Sequence, residues 1–161
     1  MPTVRLVADT TLAPERVLEA ARDFSPRRAE LWPNVHADHL RVHEIGPTSA
    51  EVTERTPSAI GHIWERLRYD WSDPGSLRGV VVDSNVFRPG STWEMTATRV
   101  DGRTRVDVVA VRHLRGIRGR LAYPAFPLGI ARMGLTRQLR QFLARIEFGA
   151  ERAPSVGSAD E

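Results

Sequence analysis

The chain contains no cysteine, which excludes disulfides, thiolate metal sites and catalysis by a cysteine nucleophile. It contains no lysine either, so all 23 basic side chains are arginine, and these lift the isoelectric point to 10.4. The 20 acidic residues are interspersed with them and leave a net charge of only +3, which gives little support to nucleic-acid or anionic-membrane binding. No apolar run approaches the length that spans a bilayer, and the N-terminus lacks a basic-then-apolar signal pattern, so a cytoplasmic location is expected. Also missing are a Ser-His-acid spacing, a glycine-rich phosphate loop and a basic stripe interleaved with aromatics. Those absences argue against a triad hydrolase, a nucleotide enzyme and an RNA-binding sheet, and no nucleic-acid partner is expected.

What is present fits one globular domain: 161 residues, 41% hydrophobic and 27% charged. Residues 1–148 read as that domain. From Gly149 onward periodicity stops and small and charged residues dominate, so 149–161 is expected to be a disordered tail. Leu128, Ala131, Leu135, Leu139, Phe142 and Ile146 recur at steps of three and four, which predicts an amphipathic helix from Pro127 to Phe148. Pro127 suits its first turn and Gly149 its end.

At the other end, Thr3 to Ala8 alternates as a strand. Ala13-Pro14-Glu15-Arg16 opens a helix with apolar stripe Val17, Leu18, Ala21 and Phe24. Ser25-Pro26 restarts the helical signal and Trp32-Pro33 ends it, giving two short helices after the first strand.

Leu40 to Leu114 reads as consecutive hairpins. The two-residue turn Asp101-Gly102 pairs Trp93 with Ala110, Met95 with Val108 and Ala97 with Val106. Pro89-Gly90 taken as a turn pairs Val86 with Trp93 and Ser84 with Met95, and Pro74-Gly75 pairs Tyr69 with Val80, Leu67 with Val82 and Glu65 with Ser84. A Ser58-Ala59 turn puts Val52 opposite Glu65 and Glu54 opposite Ile63, while Gly46-Pro47-Thr48 joins Leu40 and Val42 to the same sheet. The first three agree on one apolar face, and because a one-residue slip would turn a whole strand over, that agreement supports the meander.

On that otherwise apolar face stand Glu54, Glu65, Ser84 and Arg112. Two inward carboxylates can divide acid and base roles, and an inward arginine can hold an enolate or carboxylate oxygen, which is the chemistry a carbonyl-condensing enzyme needs. The same groups also fit a buried Glu–Arg pair that only orders the fold, and structural ion pairs often imitate sites. Tyr69 and Trp93, with Ser84, Met95, Leu135 and Leu139, are expected to line a pocket between sheet and helix, or to serve as plain core. His36, His39 and His43 cluster in sequence, but a strand and Pro33 keep them off a shared helical face, so no metal site and no cofactor is expected. Gly116, Gly119, Pro124 and Pro127 interrupt the approach to the last helix, so Ile117 to Phe126 fits a short separate helix, a lid or a simple connector.

The order of elements, together with Ala8-Asp9-Thr10-Thr11-Leu12-Ala13-Pro14-Glu15-Arg16-Val17, the acidic helix end at Asp23, the Trp32-Pro33 corner and Leu135-Thr136-Arg137-Gln138-Leu139, resembles the START-related polyketide-cyclase and lipid-transport superfamily, also written SRPBCC. That resemblance spans Val4 to Glu147. It implies an α+β helix-grip fold in which a curved antiparallel sheet of about seven strands wraps a long C-terminal helix. The function it implies is binding of a small hydrophobic ligand, lipid or polyketide-like. The alternatives are a cyclase or aromatase using Glu65, Glu54 and Arg112, and a partner-binding module presenting Arg115, Arg118 and Arg120; fold alone does not choose among them. The sequence leaves the oligomeric state open.

Overall fold

The computed structural model describes residues 2–58, 61–125 and 129–152. Strand β1 (Thr3–Thr10) is followed by helices α1 (Pro14–Ala21) and α2 (Arg28–Leu31), then strands β2 (Arg41–Ile45), β3 (Ser49–Ser58), β4 (Gly61–Asp70), β5 (Ser76–Ser84), β6 (Thr92–Val100) and β7 (Arg103–Val111). Helices α3 (Gly116–Ala122) and α4 (Ile130–Arg152) complete the order. The strands form one antiparallel sheet in the sequence β1-β7-β6-β5-β4-β3-β2, so the first strand closes one edge beside the last. Among the described residues no helix is long and apolar enough to cross a membrane.

Each early element follows its local chemistry. Pro14 occupies the first turn of α1 with Glu15 beside it, and Val17, Leu18 and Ala21 turn inward. Helix α2 begins at Arg28 rather than at Pro26, because residues 25–27 are spent on a turn in which Arg28 N–H donates to the Ser25 carbonyl at 2.9 Å. Helix α4 packs against β1, α1 and α2. Its Leu139, Phe142, Leu143 and Ile146 are buried, with Phe142 wholly so, and joining them are Leu6, Leu67, Leu77, Met95 and Val106 from the sheet. Burying a side chain the size of Phe142 contributes about 1.5–3 kcal/mol.

Pro127 and Leu128 lie outside the described residues, and α4 begins after Gly129, whose φ of +74° suits glycine. Gly149 does not end it, for the helix runs on to Arg152 and the expected tail loses its first residues to helix. One exposed glycine costs a helix only about 1 kcal/mol, too little to stop an established one. Residues 153–161 lie outside the described residues.

The Asp101-Gly102 hairpin has the expected register, with Trp93 opposite Ala110 and Met95 opposite Val108. Asp101 and Gly102 both have positive φ, 48° and 79°, as a type I′ turn requires. The other turns differ. Glu65 does face Ser84, but Val82 is an extra residue in β5, so Leu67 meets Val81 and Tyr69 meets Gly79 instead of Val82 and Val80. That bulge buries Val81 and exposes Val82. Pro89-Gly90 is not a two-residue turn: β5 leaves β6 after the Val80–Thr92 pair, and Leu77, not Ser84, faces Met95. The intervening segment crosses instead to the end of β7, where Phe87 bridges Leu114 and Arg88 N–H donates to the His113 carbonyl at 2.7 Å. Between β3 and β4 the turn falls one residue later than expected, so Glu54 faces Glu65 and Val52 faces Leu67. Residues 59 and 60 of that turn lie outside the described residues. A second bulge, at His43, lies on β2. The Ile117 to Phe126 stretch contains a true helix, α3, followed by a 3-10 turn at Tyr123–Ala125.

Candidate functional site

Between the inner sheet face and α4 lies a half-open pocket of about 110 Å³. Its apolar wall includes Leu6, Leu67 and Val108 from the sheet and Leu135 and Leu139 from α4. Trp32, Tyr69 and Trp93 supply aromatic surface. Into this wall are set four charged side chains, Arg28, Glu54, Glu65 and Arg112, with Asn34, Thr56 and Gln138 as neutral polar neighbours.

The aromatic surface exists because of a glycine. Gly79 faces Tyr69 on one side and Trp93 on the other, and a Cβ there would stand 3.0 Å from Tyr69 Cε1. With no side chain between them, the two rings approach edge to face at 6.4 Å. Trp32 is fixed by stacking on Phe142 at 4.0 Å and meets Trp93 edge-on at 6.1 Å.

The charged groups form two separate pairs. Arg112 Nη1 donates to Glu65 Oε2 at 2.8 Å, its guanidinium lying 4.7 Å from the Phe87 ring centre. Arg28 Nε donates to Glu54 Oε1 at 2.6 Å, while its other nitrogens donate to the Ala21 carbonyl at 2.7 Å and to the Tyr69 hydroxyl at 3.4 Å. Only 3% of the Arg28 side chain is exposed, and its guanidinium sits 4.5 Å over the Phe24 ring. Burial pulls the Arg28 pKa down, but Glu54 and Tyr69 together, by charge and hydrogen bond, pull it up further, so the net displacement is upward and the charge stays fixed. Burial, reinforced by the same carboxylate, raises the pKa of the Tyr69 hydroxyl, which therefore stays protonated.

The site residues anticipated from sequence divide accordingly. Glu54, Glu65, Arg112, Tyr69, Trp93, Leu135 and Leu139 all line the cavity. Ser84 and Met95 are wholly buried and are not among its lining residues: Ser84 Oγ accepts from the amides of Val86 and Phe87, and Met95 is packed between Leu77 and Val108 in the sheet. Arg28 was not anticipated, since it belongs to no periodic stripe. A signal for it did exist, because an inward Glu54 needs a cation and a chain without lysine must find an arginine among its capping elements. Trp32 Nε1 and Asn34 Oδ1, also in the cavity wall, are buried without a hydrogen-bond partner among the described residues. Those residues contain no cluster of three or more potential metal ligands; His36, His39 and His62 lie near one another, with ring centres 6.2 and 6.3 Å apart in succession.

No family model matches the chain. The peptide methionine sulfoxide reductase MsrA of Ectopseudomonas mendocina is 28% identical over 98 residues, which make up 61% of this chain and 45% of that protein. The chain thus spans less than half the length of that relative. Solved structures match far more completely. The Zhui aromatase/cyclase of Streptomyces sp. R1128 superposes with a TM-score of 0.78 over 96% of this chain and 98% of its own, at 16% identity. TTHA0849 of Thermus thermophilus gives 0.72 over 96% and 100% at 18% identity, and a START superfamily protein of Mycobacterium smegmatis gives 0.62 over 86% and 99% at 11% identity. With its seven-stranded antiparallel sheet packed over a long C-terminal helix, the chain shares the helix-grip fold of these solved structures.

Proposed function

We propose that residues 1–148, with the last turn of α4, work as one domain that binds a small hydrophobic molecule, lipid or polyketide-like, between the sheet and α4. The observation that carries this reading is the cavity itself: an apolar and aromatic wall that the surrounding side chains leave unfilled at the centre of the fold. Likeness of fold to an aromatase/cyclase and to a START protein adds support. Tyr69, Trp93, Leu135 and Leu139 are the proposed ligand contacts. At about 110 Å³ the pocket is smaller than the roughly 300–1,000 Å³ of most ligand pockets, so a long chain would extend beyond it through the open side. Native mass spectrometry and thermal denaturation with acyl and aromatic ligands test the proposal. A ligand at a hundredfold over its dissociation constant adds about 2.7 kcal/mol if it binds only the folded state. No bound species and no stabilisation across the panel would count against it.

A second reading, cyclisation or aromatisation of a polyketide-type chain, is favoured by the Glu65–Arg112 pair on the cavity wall. In it Glu65 and Glu54 exchange protons with a ligand carbon and oxygen while Arg112 holds the enolate oxygen. Turnover that vanishes in a folded Glu65→Gln protein supports this reading, and turnover that persists removes it.

A further inference from the structure

The cavity wall holds two arginines and two glutamates, and each arginine is already paired with a glutamate inside the protein. The charges sum to zero, and none of the four groups lacks a partner. Resting on the ligand-binding reading above, we propose that the site selects electrically neutral ring compounds bearing a hydrogen-bond acceptor, such as aryl ketones, and rejects free carboxylates of the same shape.

The reason is the cost of a second anion. A ligand carboxylate placed here would lie close to Glu54 and Glu65, which face each other across β3 and β4. Shared with Arg112 or Arg28, it would put three carboxylates on two guanidiniums in a largely desolvated site, and the excess negative charge works against it. A neutral acceptor meets no such penalty. The Tyr69 hydroxyl already accepts from Arg28, and among the described residues its own proton has no acceptor, so it is free to donate to a ketone oxygen. Size points the same way: cavities of about 150 Å³ lined by apolar side chains hold benzene, so a pocket of about 110 Å³ takes about one ring, with the rest of the ligand at its open side.

Equilibrium dialysis at pH 7 with 2-acetylnaphthalene and 2-naphthoate isolates charge, because the two differ in little but methyl against anionic oxygen. The intact chain is expected to bind the ketone at least about tenfold tighter. In Glu65→Gln, Arg112 loses its internal counter-charge, and the preference should shrink by about tenfold or reverse. Leu135→Trp, which fills the cavity, should abolish ketone binding and so place it. Naphthoate binding as tightly as the ketone to the intact chain would overturn the inference and leave the hydrophobic-ligand reading standing. Binding of neither would overturn both. Should Glu65→Gln fail to fold by circular dichroism, the ratio measured on the intact chain still decides.

Discussion

Glu54 and Glu65 stand directly opposite each other on β3 and β4, yet their carboxylates turn to different arginines: Glu54 to Arg28 at 2.6 Å, and Glu65 to Arg112 at 2.8 Å. Opposed like charges destabilise a sheet, and here each is neutralised from a different direction, by α2 on one side and by the end of β7 on the other.

The Glu65–Arg112 pair is only partly buried, with 18% and 14% of the two side chains exposed. Glu65→Gln is therefore expected to cost about 2 kcal/mol, between the values for exposed and fully buried pairs. Adding Arg112→Met should restore much of it, because the stranded charge is then gone. Urea denaturation of the two single variants and the double variant checks this; a double variant as unstable as the sum of the singles would refute the pairing.

Arg28 is deeper and holds more partners, so Arg28→Met should cost about 3–5 kcal/mol, more than the loss at Glu65. It leaves Glu54 without a cation and the Ala21 carbonyl without its donor. A smaller loss than that of Glu65→Gln would show that Arg28 is not the principal brace of the α2 corner.

Gly79→Ala should destabilise the protein by about 1–3 kcal/mol and weaken ligand binding together, since the new methyl presses on the buried Tyr69 ring. Calorimetric melting and a binding assay on the same sample test it. An unchanged affinity would mean that the Tyr69–Trp93 contact does not shape the site.

How much of this was legible in sequence depends on where the information lies. The Asp101-Gly102 hairpin was readable because the turn chemistry demands positive φ at two adjacent positions and so fixes the register. The stripe through Leu139, Phe142 and Ile146 was readable because periodicity reports burial directly. Val82 carries no mark of being a bulge, so Val81 and Val82 exchanged faces in the sequence reading. Pro89-Gly90 resembles a turn locally, but its segment is held by the distant end of β7, a tertiary contact that local chemistry cannot express. At the site, the inward carboxylates and Arg112 followed from alternation. Arg28 did not, because its place is set by how α2 folds back over the sheet.

On the outer face Glu51 is clamped by Arg66 and Arg68, whose hydrogen bonds hold its carboxyl below the ordinary carboxylate range. A depressed folded-state value means that this clamp contributes stability above the unfolded value near 4.5 and loses it as pH falls through the folded one. Thermal midpoints should accordingly fall below pH 4.5 with a slope that Glu51→Gln reduces. An identical slope in the variant would assign acid sensitivity to other groups.

The most direct test of a ligand between sheet and helix is an NMR titration with 2-acetylnaphthalene that records intermolecular Overhauser contacts. Contacts are expected from the ligand rings to Trp93, Leu135 and Leu139, all in the cavity wall. Contacts confined to exposed apolar residues such as Ile117 and Leu121 of α3, with the three cavity side chains unperturbed, would contradict that placement.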